Sequence, residues 1–95
     1  MDFAYFVENS PAVEERNNRP VFSLIYDLGI PEHNIYCDVD DSKEALKSLI
    51  KTVKEGDRII ARSLFDLSSY NVENLMVYLK ILQSKAVELH IVDHL

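Results

Sequence analysis

Apolar side chains follow two alternating rhythms along this chain. Phe3, Ala4, Tyr5, Phe6 and Val7 form an unbroken aromatic and aliphatic run, which predicts a buried strand over residues 2–7. Glu8, Asn9, Ser10 and Pro11 interrupt it, and the polar segment from Ala12 to Arg19 reads as a loop or a loose helix. Val21, Leu24, Ile25 and Leu28 then recur at helical spacing and predict a helix over 20–28. Pro20 suits its first turn, where the missing N–H costs nothing, while Gly29 closes it and Pro31 prevents its return. A second strand follows over 34–39, with Ile35, Tyr36 and Cys37 in its middle.

The second half repeats the alternation. Asp41, Ser42, Lys43 and Glu44 have the form of a capping box, in which the first side chain and the last satisfy each other's backbone N–H groups. Ala45, Leu46, Leu49, Ile50 and Val53 form one stripe and predict a helix over 42–55, ended by Gly56. A strand over 57–62 buries Ile59 and Ile60, and a short polar loop leads on to Ser68–Asn71, which offers several N-caps. Val72, Leu75, Met76, Leu79 and Leu82 predict a helix over 71–84, and Val87, Leu89, Ile91 and Val92 a last strand over 87–92. Strands alternating with helices imply an α/β fold: three layers, a mainly parallel four-stranded sheet with helices on both faces. Leu46, Leu49, Ile50, Ile59, Ile60, Leu75 and Leu79 are its expected core.

Size and charge narrow the function. The 95 residues make one domain, spanning 1–95, and its net charge of −6 argues against binding nucleic acid by bulk attraction, since each phosphate contact needs a cation. Lys43, Lys47, Lys51 and Lys54 lie on one helix, but Glu44 and Glu55 interleave with them, so they read as a solvated face. The single cysteine, Cys37, excludes an internal disulfide and a cysteine zinc site, and its apolar and acidic neighbours suit a buried, inert thiol. No apolar run approaches the ~18 residues of a membrane span. No basic, apolar leader is visible at the start, so a reducing bacterial or phage-infected cytoplasm is the expected setting.

Candidate chemistry is sparse. Asp38, Asp40 and Asp41 cluster at the end of the second predicted strand, where carboxylates hold Mg²⁺ in some folds and form turns and caps in others. His90 alternates with apolar residues in the last predicted strand and His33 sits in a loop, so both read as structural or surface residues, and with only Gly29 and Gly56 there is no glycine-rich phosphate loop. No cofactor and no metal are expected.

The most specific stretch is Gly56-Asp57-Arg58-Ile59-Ile60-Ala61-Arg62-Ser63-Leu64-Phe65-Asp66-Leu67-Ser68-Ser69-Tyr70-Asn71. It resembles the core of the resolvase/invertase family, the small serine recombinases, in which a Gly-Asp turn leads through an apolar strand to Lys-Leu-Asp-Arg-Leu-x-Arg and a helix. Leu64 and Leu67 stand where that pattern has leucines. Phe65 replaces its aspartate, and Asp66 and Ser69 replace its two arginines. In the family, Tyr-x-Arg-x-Ser ends the first strand; here Tyr5 matches, Val7 falls at the arginine, Asn9 falls at the serine, and Ser10 is one residue late.

The resemblance implies a serine that attacks a DNA phosphodiester and is held as a phosphoserine link. Several guanidinium groups would gather the transition-state charge, because their planar forks match phosphate. A one-residue slip brings Ser10 into place, but no Lys or Arg occurs between Met1 and Glu15 and no Arg after Arg62. The implied protein is therefore a catalytically degenerate resolvase-like domain: a protein-interaction or regulatory module tied to DNA recombination or mobile elements. Its expected partners are itself or a full-length recombinase. The chain stops at Leu95, before the helix through which such domains pair and with no C-terminal helix-turn-helix, so DNA binding by this chain alone is not expected. Two alternatives stay open. One is an active or truncated recombinase domain using Ser10, with Arg16, Arg19 and Arg62 as its cations. The other, from fold analogy, is a flavodoxin-like domain that binds a small anion.

Overall fold

The computed structural model describes residues 1–8, 19–39, 42–68 and 71–92. In chain order these form β1 (Asp2–Glu8), α1 (Arg19–Leu28), β2 (Ile35–Val39), α2 (Glu44–Thr52), β3 (Arg58–Ala61), α3 (Leu64–Ser68), α4 (Val72–Ser84) and β4 (Glu88–Ile91). One 3₁₀ turn, Glu32–Asn34, leads into β2. The strands pair in the order β2-β1-β3-β4, and all three pairings are parallel. The expected α/β fold is what forms.

Crossover handedness accounts for the layers. Connections between parallel strands are right-handed, so the direction of travel across the sheet decides which face a helix covers. The path from β1 to β2 runs one way, and the path from β2 to β3 returns across β1 the other way. Hence α1 covers one face and α2 the opposite one. From β3 to β4 the travel continues in the second direction, and α4 joins α2. The core divides accordingly. Phe3, Tyr5, Val7 and Ile59 pack with Leu46, Leu49, Ile50 and Val53 of the α2 segment and with Leu82 of α4. On the other face Ala4 and Ile60 pack with Val21 of α1, Ile30 and Val92. Alternation along β1 sends odd residues to one face and even residues to the other, which is why its whole apolar run is buried.

Four expectations need correction. The polar loop expected after β3 is a one-turn helix, α3, because Leu67 turns inward and is fully buried. The N-cap of α2 is Lys43, which makes no side-chain cap bond, and Asp41 of the expected capping box lies outside the described residues. Asp38, reaching over from the end of β2, accepts the helix N–H groups instead. At its other end α2 stops at Thr52, since Val53 is already extended, and Gly56 serves the following turn rather than the helix. The buried stripe of α4 is also rotated from the one expected. Val72 is 69% and Met76 50% exposed, while Leu75, Tyr78 and Ile81 pack against the core beside Leu82. Leu75 and Leu79 are half-buried rather than fully enclosed, because α4 lies at the sheet's edge over β3 and β4.

Helix ends are closed by identifiable devices. Gly29, at φ +64°, ends α1 with Ile30 N–H donating to Ile25 O at 3.0 Å and Gly29 N–H to Tyr26 O at 3.2 Å. The same double bond ends α4, through Val87 N–H to Leu82 O and Ala86 N–H to Gln83 O, but there Ala86 holds the left-handed conformation at φ 57°. Asn71 caps the start of α4 by accepting from Asn74 N–H at 3.0 Å. Lys85 Nζ donates to the carbonyls of Ile50 at 2.6 Å, Val53 at 3.3 Å and Lys51 at 3.4 Å, placing a cation at the negative end of α2.

Candidate functional site

In open parallel sheets, ligands bind outside the carboxyl ends of the strands where the winding direction reverses. Here that point lies between β1 and β3. Tyr5 and Val7 approach it from β1, Asp38 from the end of β2, and Arg62, Ser63 and Asp66 from the β3–α3 segment.

Tyr5 is fully buried, and its hydroxyl donates to Asp38 Oδ2 at 2.7 Å. Register explains the pair. Tyr5 lies opposite Tyr36, so Asp38 sits on the same face of the neighbouring strand, two residues ahead. The phenol's length spans that offset of about 6.6 Å. Asp38 is itself only 4% exposed. Its Oδ1 accepts Ala45 N–H at 2.8 Å and Ser42 Oγ at 3.4 Å, and Oδ2 also accepts Leu46 N–H at 3.0 Å. Burial, then the hydrogen bond to Asp38, then the negative fields of Asp38 and Asp66 push the Tyr5 phenol far above its ordinary range. Tyr5 is a fixed neutral donor, not an acid or base at physiological pH.

Arg62 follows β3 and turns onto α3. Its Nη2 donates to Asp66 Oδ1 at 2.8 Å and its Nε to Asp66 Oδ2 at 3.3 Å, a two-point fork. Asp66 is 6% exposed and the Arg62 side chain 21%, so the pair is largely withdrawn from water. Between them Ser63 keeps its Oγ buried with no hydrogen-bond partner.

Of the positions matched to the family pattern, Tyr5, Val7 and Asp66 lie here, together with the candidate cation Arg62. Val7 is 5% exposed and packs in the core, where an arginine would have to be desolvated. Phe65 lies in α3, where only its backbone is described. Asn9, Ser10, Arg16, Asp40, Asp41 and Ser69 lie outside the described residues. Arg19 opens α1 and is exposed. Among the described residues no three His, Cys, Asp or Glu side chains gather as a metal site. Asp38 spends its lone pairs on Tyr5, Ser42 and the α2 N–H groups, which is a capping role. His33 and His90 are exposed on the 3₁₀ turn and on β4. Cys37 is half-buried rather than buried, on the edge strand β2, with its thiol donating to Asp38 O at 3.5 Å. No described helix is long and apolar enough to cross a membrane.

What the residues alone did not reveal is the coupling of Asp38 to Tyr5. The signal that could have found it is a tyrosine in one strand and an acid at the end of its parallel neighbour, just before a helix. Compared with models of known protein families the chain matches none, and no characterised protein is significantly similar to it in sequence.

Proposed function

We infer that this chain is a resolvase-like α/β domain that no longer performs strand cleavage and works as a protein-interaction or regulatory module. The observation that carries this reading is the Arg62–Asp66 fork. The cation beside the switch point is held along its Nε–Nη2 edge by a buried carboxylate, at the position where the family pattern has an arginine. Asp38 and Asp66 both add negative field at Tyr5, and the Arg62 charge is balanced by Asp66, so the site gathers no surplus of positive charge for a phosphodiester. Val7 supplies packing where a second guanidinium would be needed. Losing one preorganised donor costs about 2.7–4 kcal/mol of transition-state stabilisation, and three such losses slow a step by many orders of magnitude.

The test is to incubate the protein with supercoiled DNA bearing candidate crossover sites. No covalent protein–DNA adduct is expected. An adduct that forms and disappears in Ser10→Ala overturns this reading in favour of an active recombinase domain. Sedimentation across a concentration range, alone and with a full-length recombinase, then reads out the expected association directly.

A further inference from the structure

A groove of about 310 Å³ runs between α2 and α4, on the face opposite α1. Ile50, Tyr78 and Ile81 form its apolar part, and Lys47, Lys51 and Lys85 complete the lining. None of the six is acidic, although the chain carries 16 acids against 10 bases. All the lysines of the chain, at 43, 47, 51, 54, 80 and 85, lie on or beside these two helices, and all the arginines lie elsewhere. The single acid of α4 is Glu73, in its first turn, away from the groove. Val77, 53% exposed and one turn before Ile81, extends the apolar strip along α4.

We propose that this groove docks an acidic amphipathic helix of a partner protein. The apolar face of that helix, read at i, i+3 or i+4 and i+7, packs on the half-buried Tyr78 and Ile81 above the buried Ile50, and its flanking Asp or Glu side chains reach Lys47 and Lys51. The division of labour follows from the hydrogen bonds. The Lys85 ammonium is already taken by the carbonyls at the end of α2, so it contributes its aliphatic stem, while Lys47 and Lys51 are exposed and supply the charge. The 9 residues of α2 and 13 of α4 flank the groove, a length of about 13–20 Å that suits two to three turns of helix. A nucleic-acid backbone fits less well. The apolar strip offers phosphate nothing, and arginine forks are absent from both helices.

This proposal rests on the interaction-module reading and names its surface. The probe is a fluorescein-labelled helical peptide with leucines at i, i+4 and i+7 flanked by glutamates, titrated into the intact chain and followed by anisotropy and by amide chemical shifts. Saturable binding is expected, with shifts centred on Tyr78 and Ile81 and an affinity lowered about tenfold or more in K47E/K51E. A lysine version of the peptide should bind K47E/K51E better than the wild type. Three results each overturn the proposal: no saturable binding, equal binding by wild type and K47E/K51E, or displacement of the peptide by a single-stranded oligonucleotide that shifts the same amides. Association with a recombinase that is unchanged in K47E/K51E would keep the module reading and refute the groove. A Ser10-dependent DNA adduct would refute the module reading and leave the peptide result standing separately.

Discussion

Asp38 gathers four hydrogen bonds on one carboxylate: from the Tyr5 hydroxyl, the N–H groups of Ala45 and Leu46, and Ser42 Oγ. Removing it strands a buried hydroxyl and two helix N–H groups together, each unsatisfied group costing about 1–3 kcal/mol. Asp38→Ala should therefore lower unfolding free energy by about 3 kcal/mol in urea titrations, and Asp38→Asn by less, since one oxygen still accepts. A loss under about 1 kcal/mol would show that water replaces the carboxylate. Tyr5 gives the pH dependence. Its folded pKa is raised, so its contribution is fully present below the unfolded tyrosine value of about 10 and is lost as pH rises above it, where the unfolded phenol ionises and the folded one does not. The urea midpoint should fall between pH 9 and 11, and Tyr5→Phe should flatten that fall while lowering the midpoint at pH 7. An equally steep alkaline fall in Tyr5→Phe would show that Tyr5 is not its source.

Whole elements are tuned by their ends. At the close of α4 a residue with a Cβ occupies the left-handed position that glycine takes at the close of α1. That conformation costs an ordinary residue about 1–2 kcal/mol, partly offset by the larger entropy glycine loses on folding. Ala86→Gly should accordingly stabilise the protein by roughly 0.5–1 kcal/mol, measured as a higher urea midpoint with an unchanged slope. A lower midpoint would mean that the Ala86 methyl makes contacts worth more than the strain. The contrast between the two helices bears on reading sequence. Gly29 announced the end of α1, whereas nothing in Ser84-Lys85-Ala86 announced the end of α4. The β-type apolar run that follows did so instead. Leu67 likewise drew a turn of helix out of a stretch whose polar residues suggested a loop, because one leucine finding the core outweighs weak local preference.

Over the molecule as a whole, two cores share one thin sheet. The larger lies under α2 and α4, and Leu49 is fully buried within it. Leu49→Ala should cost about 2–5 kcal/mol, a large part of the roughly 5–15 kcal/mol that holds a domain of this size. Calorimetry should show the melting temperature falling as one cooperative transition. A loss under about 1 kcal/mol would mean that α2 is not bound to the sheet as described. Charge is also organised at this scale. The net charge of −6 is not spread evenly: Lys47, Lys51 and Lys85 line the α2–α4 groove with no acid among its lining residues, while Asp38 and Asp66 with Arg62 lie at the carboxyl ends of the strands.

Hydrophobic period alone was enough to specify the kind of the strands and long helices and their succession along the chain, because burying one face of each element is a local demand written at 2.0- or 3.6-residue spacing. It was also enough for the core positions of α2 and β3. That no Lys or Arg occurs between Met1 and Glu15, and no Arg after Arg62, is a matter of residue identity, legible without coordinates. Only tertiary structure decided the strand order, the face each helix covers and the rotation of α4, since these depend on crossover handedness and on which surfaces meet. It also turned Asp38 from one of three neighbouring acids into the cap of α2 and the partner of Tyr5. For Arg62, a strand-end charge or an ion-pair partner by sequence, it selected the ion pair, with Asp66 four residues on. The Asp38 assignment needs groups from separate segments to be desolvated together, and burial shared between segments has no period in the sequence that could disclose it.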